Sequence, residues 1–178
     1  MAWKRRGLAG MIFASAAWAF PGEVAALEAA VVDVSAQFHS LAGKEGELVH
    51  DGFQGLPGLE GFKLGEIAFL RNPLSRVSLV KGDTHVFLFV KAEGSQSTRR
   101  VLALLAFRLR EGPVVWPCSL ASGTEDYSLV TVAKDSPNAK GKIEVLAAWR
   151  FDPSTETVKV VPKKAVRCSS EDDPRQYE

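Results

Sequence analysis

Short apolar runs recur at intervals of roughly 8–12 residues from Glu66 onward, each bounded by turn-forming positions, a spacing that predicts successive β-strands. Ile67 to Leu70 comes first and is stopped by Asn72-Pro73. Val77 to Val80 and Val86 to Val90 flank Gly82-Asp83. A two-residue link led by glycine suits a type II′ hairpin turn, whose first central residue needs positive φ. Arg100 to Leu109 is apolar on both faces from Val101 through Phe107. That predicts a central strand covered on both sides, with a buried helix as the alternative reading of so long a Leu/Ala run. After Glu111-Gly112, Val114 to Cys118 and Tyr127 to Ala133 are further strand candidates, and Asp135-Ser136-Pro137-Asn138 marks a polar turn. Ile143, Val145, Ala147, Trp149 and Phe151 then occupy alternate positions, which places them on one face of a strand. Asp152-Pro153-Ser154-Thr155 puts proline where its fixed φ suits a type I turn, and Val158 to Val161 returns as the last strand.

Two earlier segments carry mixed patterns. Val32 to His39 alternates apolar with polar residues, as a half-buried strand does. Val24, Leu27, Val31, Val34, Phe38 and Leu41 also recur at three- and four-residue steps, as a helix face does, so strand and helix both remain open over 24–41. Gly52, Gly55, Gly58 and Gly61 then fall on every third position. A collagen triple helix would need many more such triplets and more proline. The expectation is an irregular loop whose Phe53, Leu56, Leu59 and Phe62 pack onto the core, with a partner-binding apolar edge as the alternative.

The links between Val77 and Val161 are too short for the crossover helices that parallel strands require. The predicted fold class is therefore mainly β: an antiparallel β-sandwich or partly closed barrel of about eight or nine short strands, with or without one N-terminal helix. Residues 1–26 read as a signal peptide. Lys4, Arg5 and Arg6 form a basic start, Leu8 to Phe20 is a short uncharged apolar run, and small residues stand at cleavage spacing before Ala26 or Ala19. The apolar run falls short of the roughly 20 residues that cross a bilayer, so no stable membrane span is expected after cleavage. Residues 27–168 make one β-rich domain, and residues 169–178 an acidic flexible tail.

Charge then narrows the partners. The full chain carries 22 basic and 21 acidic residues, and loss of the leader removes Lys4, Arg5, Arg6 and Glu23 to leave 19 against 20. No bulk positive charge remains to hold nucleic acid. Cys118 and Cys168, an even pair in a chain addressed to an oxidising compartment, are expected to form a disulfide. His39, His50 and His85 show no zinc-ligand spacing, and no nucleophile elbow, phosphate loop or dinucleotide fingerprint is present. No catalytic, metal or cofactor-binding residue is assigned. Arg99, Arg100 and Trp116 are the expected partner-contact patch, tryptophan and arginine being enriched where interfaces concentrate their energy. If their strand ends met, Arg108, Arg110, Lys163, Lys164 and Arg167 would extend it into a basic surface. The expectation is an exported, periplasmic or secreted, non-catalytic binding or accessory module acting on a protein partner or envelope component. The alternatives are a small exported hydrolase with a dispersed active site, and a carrier of a small apolar ligand.

Overall fold

The computed structural model describes residues 30–94, 97–110, 112–115, 117–123, 126–138 and 142–168. The expected leader, the acidic tail and Trp116 lie outside the described residues. Among the described residues the chain is antiparallel β throughout, built around one wide sheet. Its strands run β1 (Val31–Asp33), β2 (Glu45–Val49), β3 (Gly52–Gln54), β4 (Lys63–Arg71), β5 (Leu74–Lys81), β6 (Thr84–Ala92) and β7 (Thr98–Leu109). Hydrogen-bonded neighbours follow the order β3-β2-β7-β6-β5-β4, and β1 pairs with the far end of β7 on the edge opposite β6. A second sheet has the order β12-β11-β10-β8, from β8 (Pro113–Val115), β10 (Leu129–Lys134), β11 (Val145–Asp152) and β12 (Thr157–Val160). The two-residue strands β9 (Ser119–Leu120) and β13 (Val166–Arg167) pair beside the disulfide. This is the partly closed antiparallel sandwich that the alternation predicted, with several more and shorter strands than eight or nine.

Strands β6 and β7 are apolar on both faces because both faces are covered. One face carries Val77, Leu79, Val86, Leu88 and Val90, which pack against Phe38 and Leu41 and against Leu56 and Leu59. The opposite face presents Phe87, Phe89, Leu105 and Phe107 to Val130, Val132, Ala147 and Phe151 of the second sheet. Aromatic rings stack across that layer, Phe89 on Phe151 at 4.6 Å and Phe107 on Trp149 at 5.3 Å between centroids. Arg100 to Leu109 is thus the doubly covered strand, and the buried-helix alternative is excluded.

The glycine triplets form the covering loop. Gly52, Gly55, Gly58 and Gly61 all have φ between +77° and +148°. Those values are open to glycine and strained for other residues, and they are incompatible with the negative φ of a collagen strand. Each reversal turns the intervening leucines inward, and Leu56 and Leu59 are buried. At the Gly82-Asp83 link, Lys81 pairs with Thr84 and only Gly82 has positive φ, at 60°, as a II′ turn requires.

Two expectations are corrected. Within the described part of 24–41 the chain is neither a long helix nor an eight-residue strand: β1 lasts three residues and a 3₁₀ segment, Ser35–Leu41, follows. The strand stops because Asp33 Oδ1 accepts the Ser35 N–H at 2.8 Å. Ser35 Oγ then bonds both the N–H and the C=O of Ala106, occupying the place of a continuing strand. In β11 a register shift opposite Val132/Ala133 takes Val145 off the sandwich face. Val145 and Ile143 pack around the disulfide sulfurs, while Ala147, Trp149 and Phe151 keep the expected face.

Candidate functional site

The two sheets differ in width, and that difference makes the site. β12 lies against β7, so the second sheet covers the β6–β7 half of the wide sheet. The register puts Glu66, Ala68, Arg76 and Ser78 on the same face as Phe87 and Phe89, on the two strands beyond that cover. A charged residue at an inward register position is unusual, because burying a guanidinium needs compensation. Here the described residues 117–123 and 126–129 border a cavity of about 410 Å³ at the flank. Phe87, Val115, Pro117, Leu129 and Val130 form its apolar wall; Glu66, Arg76, Asp126 and Thr131 supply polar groups.

Arg76 crosses between the sheets. Its side chain is only 11% exposed; Nη2 donates to Glu66 Oε2 at 2.8 Å and Nη1 to the Leu129 carbonyl at 2.6 Å. That carbonyl needs a donor because β8 pairs with β10 only from Val132 to Lys134 and leaves Leu129 unmatched on that edge. The guanidinium also lies 5.9 Å from the Phe87 ring centroid, within cation–π reach. Two of its three nitrogens are thus engaged, while Nε is buried with no partner.

Asp126 faces the cavity from the closing loop. Its Oδ1 accepts from the backbone N–H and hydroxyl of Ser128. Oδ2 lies 2.6 Å from Arg150 Nε, an ion pair that neutralises this buried oxygen. Thr131 is 1% exposed and its Oγ1 has no partner. Arg76 Nε therefore remains a buried donor without a partner at this partly apolar cavity, while Thr131, opposite Ala148, lies on the other face of β10 from Val130.

Comparison with known protein families, characterised proteins and solved structures finds no match to this chain. The site has to be read from its own chemistry.

The sequence-predicted residues distribute as follows. Cys118 and Cys168 are bonded, and Cys118 belongs to the cavity wall. Trp116 lies outside the described residues, but its chain neighbours Val115 and Pro117 both line the cavity. Arg99 and Arg100 begin β7, opposite Gly46 and Glu45 of β2, and Arg100 Nε is 3.0 Å from Glu93 Oε1. Arg108 is nine residues further along the same strand, ~30 Å away at ~3.3 Å per residue, so these arginines do not make one basic surface. The cavity and the arginine pair are separate features.

None of the three histidines lines the cavity. His50 and Asp51 form an ion pair at 2.8 Å that raises the imidazole pKa, with both side chains almost wholly exposed. His39 Nδ1 contacts the Ala36 carbonyl at 2.6 Å. His85 stacks on Phe107 and is held below its ordinary pKa, chiefly by burial and against a smaller opposite pull from Asp83. Among the described residues no group of three or more His, Cys, Asp or Glu could hold a metal ion, and no helix is long and apolar enough to cross a membrane.

Sequence reasoning missed Glu66, Arg76, Asp126 and Thr131. Arg76 had a readable signal: with Leu74, Ser78 and Val80 it occupies one face of β5. Asp126 had none, since only the folded chain brings it beside Arg150 and the cavity.

Proposed function

We propose that this protein is an exported, non-catalytic binding module that engages a protein partner or envelope component through the cavity at the flank of its sandwich. The observation that carries the reading is the combination, in one cavity of about 410 Å³, of an apolar wall with the buried Arg76 guanidinium, whose Nε lacks a partner. Ligand sites have this volume and this make-up, apolar surface for affinity and a few placed polar groups for orientation. Leaving buried polar atoms unmatched costs ~1–3 kcal/mol each, a cost that a bound ligand offsets. Export is supported by the basic-apolar-small pattern of residues 1–26 and by the disulfide, which persists in oxidising compartments.

Native mass spectrometry of the protein, purified gently from cells that make it, tests the binding reading. The expected result is a stoichiometric complex with a partner or bound molecule, lost when Arg76 is replaced by methionine. Recovery of the bare chain alone, with no melting shift across a panel of small amphipathic compounds, would sink it. Intact mass of the same sample tests export: the expected chain starts at Leu27, or at Phe20 for the earlier cut, and gains two hydrogens on reduction. A chain still carrying Met1, or free thiols before reduction, would contradict export.

A further inference from the structure

We infer that the cavity takes a single carboxylate borne on an apolar group, and that this carboxylate displaces Glu66 from Arg76. The inference rests on the binding reading of this cavity and names what it binds. Arg76 is the one cation among the described residues that line the cavity. Its side chain is 11% exposed, whereas that of its counter-ion Glu66 is 58% exposed. An ion pair with one member in water is weakened by solvent, and a buried charge needs a partner that shares its low-dielectric surroundings. Glu66 is such a poor match for Arg76.

The hydrogen bonds show the same shortfall. Nε–H and Nη2–H lie on one edge of the guanidinium, and a carboxylate that meets that edge takes both at once. Glu66 takes only Nη2, through Oε2 at 2.8 Å, and Nε is left buried without a partner. Nη1 donates to the Leu129 carbonyl at 2.6 Å, which holds the guanidinium in place whichever acid occupies its other edge. A ligand carboxylate brings two oxygens to Nε and Nη2, while the Glu66 side chain turns out into the water that it already meets.

Charge and wall define the rest of the ligand. The other acid at the cavity, Asp126, is neutralised by Arg150 at 2.6 Å and does not oppose a monoanion. A dianion would carry a second charge with no cation to meet it. An ammonium would be repelled by Arg76 and would find both acids already paired. The apolar group has Phe87, Val115, Pro117, Leu129 and Val130 to rest on, and the Phe87 ring lies 5.9 Å from the guanidinium, so acid and apolar group are held side by side.

The probe is 3-phenylpropanoate, titrated into the disulfide-bonded protein and followed by NMR and calorimetry. Three comparators isolate each feature: 3-phenylpropanamide removes the charge, 3-phenylpropylammonium reverses it, and acetate lacks the apolar group. The acid should bind with a Kd on the order of 1 mM, as its size allows, and move the Arg76 Nε–H signal downfield. Each comparator should bind about tenfold more weakly or worse. Glu66→Gln, a change at an exposed side chain, removes the competing carboxylate and should tighten the acid about fivefold while leaving the amide unchanged. Arg76→Lys keeps the charge but loses the two-pronged edge, and should weaken the acid about fivefold. An N-acetylated tetrapeptide ending in phenylalanine with a free carboxylate separates the two sources of such a group. Tighter binding than 3-phenylpropanoate assigns the C-terminus of a polypeptide, equal or weaker binding a small organic acid.

Binding of 3-phenylpropanamide as tightly as the acid would overturn the carboxylate assignment while leaving the cavity a ligand site. So would an acid affinity unchanged or lowered in Glu66→Gln. No binding by any of the compounds, together with the bare chain in native mass spectrometry, would remove the binding reading itself.

Discussion

At the scale of single residues, a buried polar group without a partner is expensive. Thr131 Oγ1 is buried and unbonded, so Thr131→Val removes a desolvated hydroxyl without opening a void. Denaturant unfolding of that variant should show a gain of about 1 kcal/mol in stability. A loss of stability would mean that the hydroxyl is satisfied. His85 gives a pH dependence of definite sign. Its native pKa lies below the ordinary value of 6.5, so near that pH the unfolded chain holds the proton and the native one does not. The stability conferred by keeping His85 neutral is complete above 6.5 and is lost as the pH falls through 6.5 toward the lower native value. Melting temperatures from pH 8 to 5 should fall over that window and flatten there in His85→Gln.

At the scale of elements, the glycine loop shows a sequence regularity used for an end that its period does not announce. Threefold spacing fits collagen, yet the positive φ at all four positions folds the chain back and delivers Leu56 and Leu59 to the core. β2 must be narrow where Leu56 passes. A Cβ on Gly46 would stand 2.6 Å from Leu56 Cγ and 2.9 Å from the Gln54 carbonyl. Gly46→Ala should therefore cost ~1–3 kcal/mol through overpacking. Gly58 has φ +86° but open space around it, and Gly58→Ala should cost ~1–2 kcal/mol from backbone strain alone. Equilibrium unfolding of the pair checks the distinction: adding Leu56→Ala to each should relieve the Gly46 variant and leave the Gly58 variant unrelieved.

At the scale of the whole molecule, the Cys118–Cys168 bond spans 50 residues that include most of the second sheet. Closing a loop of that length restricts the unfolded chain enough to stabilise the fold by ~4 kcal/mol on the chain-entropy model. Reduction, or Cys118→Ser with Cys168→Ser, should lower the melting temperature accordingly. Because Cys118 is part of the cavity wall, binding should weaken in the same samples. An unchanged melting temperature after confirmed reduction would show that β9–β13 pairing and the apolar cluster around the sulfurs hold the C-terminal segment alone.

How much could be read in advance follows the range of the forces involved. Alternation, glycine-led turns and an even cysteine count are properties of a few neighbouring residues or of simple parity. They were enough for the antiparallel β class, the Gly82-Asp83 hairpin, the doubly covered Arg100–Leu109 strand and the disulfide. The fate of Val32 to His39 was not legible, because Ser35 ends the strand by bonding Ala106, 71 positions away. Nor was the site. Arg76 carried a local sign in its inward register, but its partners Glu66, Leu129 and Phe87 come from three other strands. The sequence by itself determined most of the strands from Ile67 onward and the inward face of most of them, since hydrophobic period is a local property. Only the tertiary structure decided that the second sheet stops short of β4 and β5, and the cavity exists because two sheets of unequal width cannot cover each other.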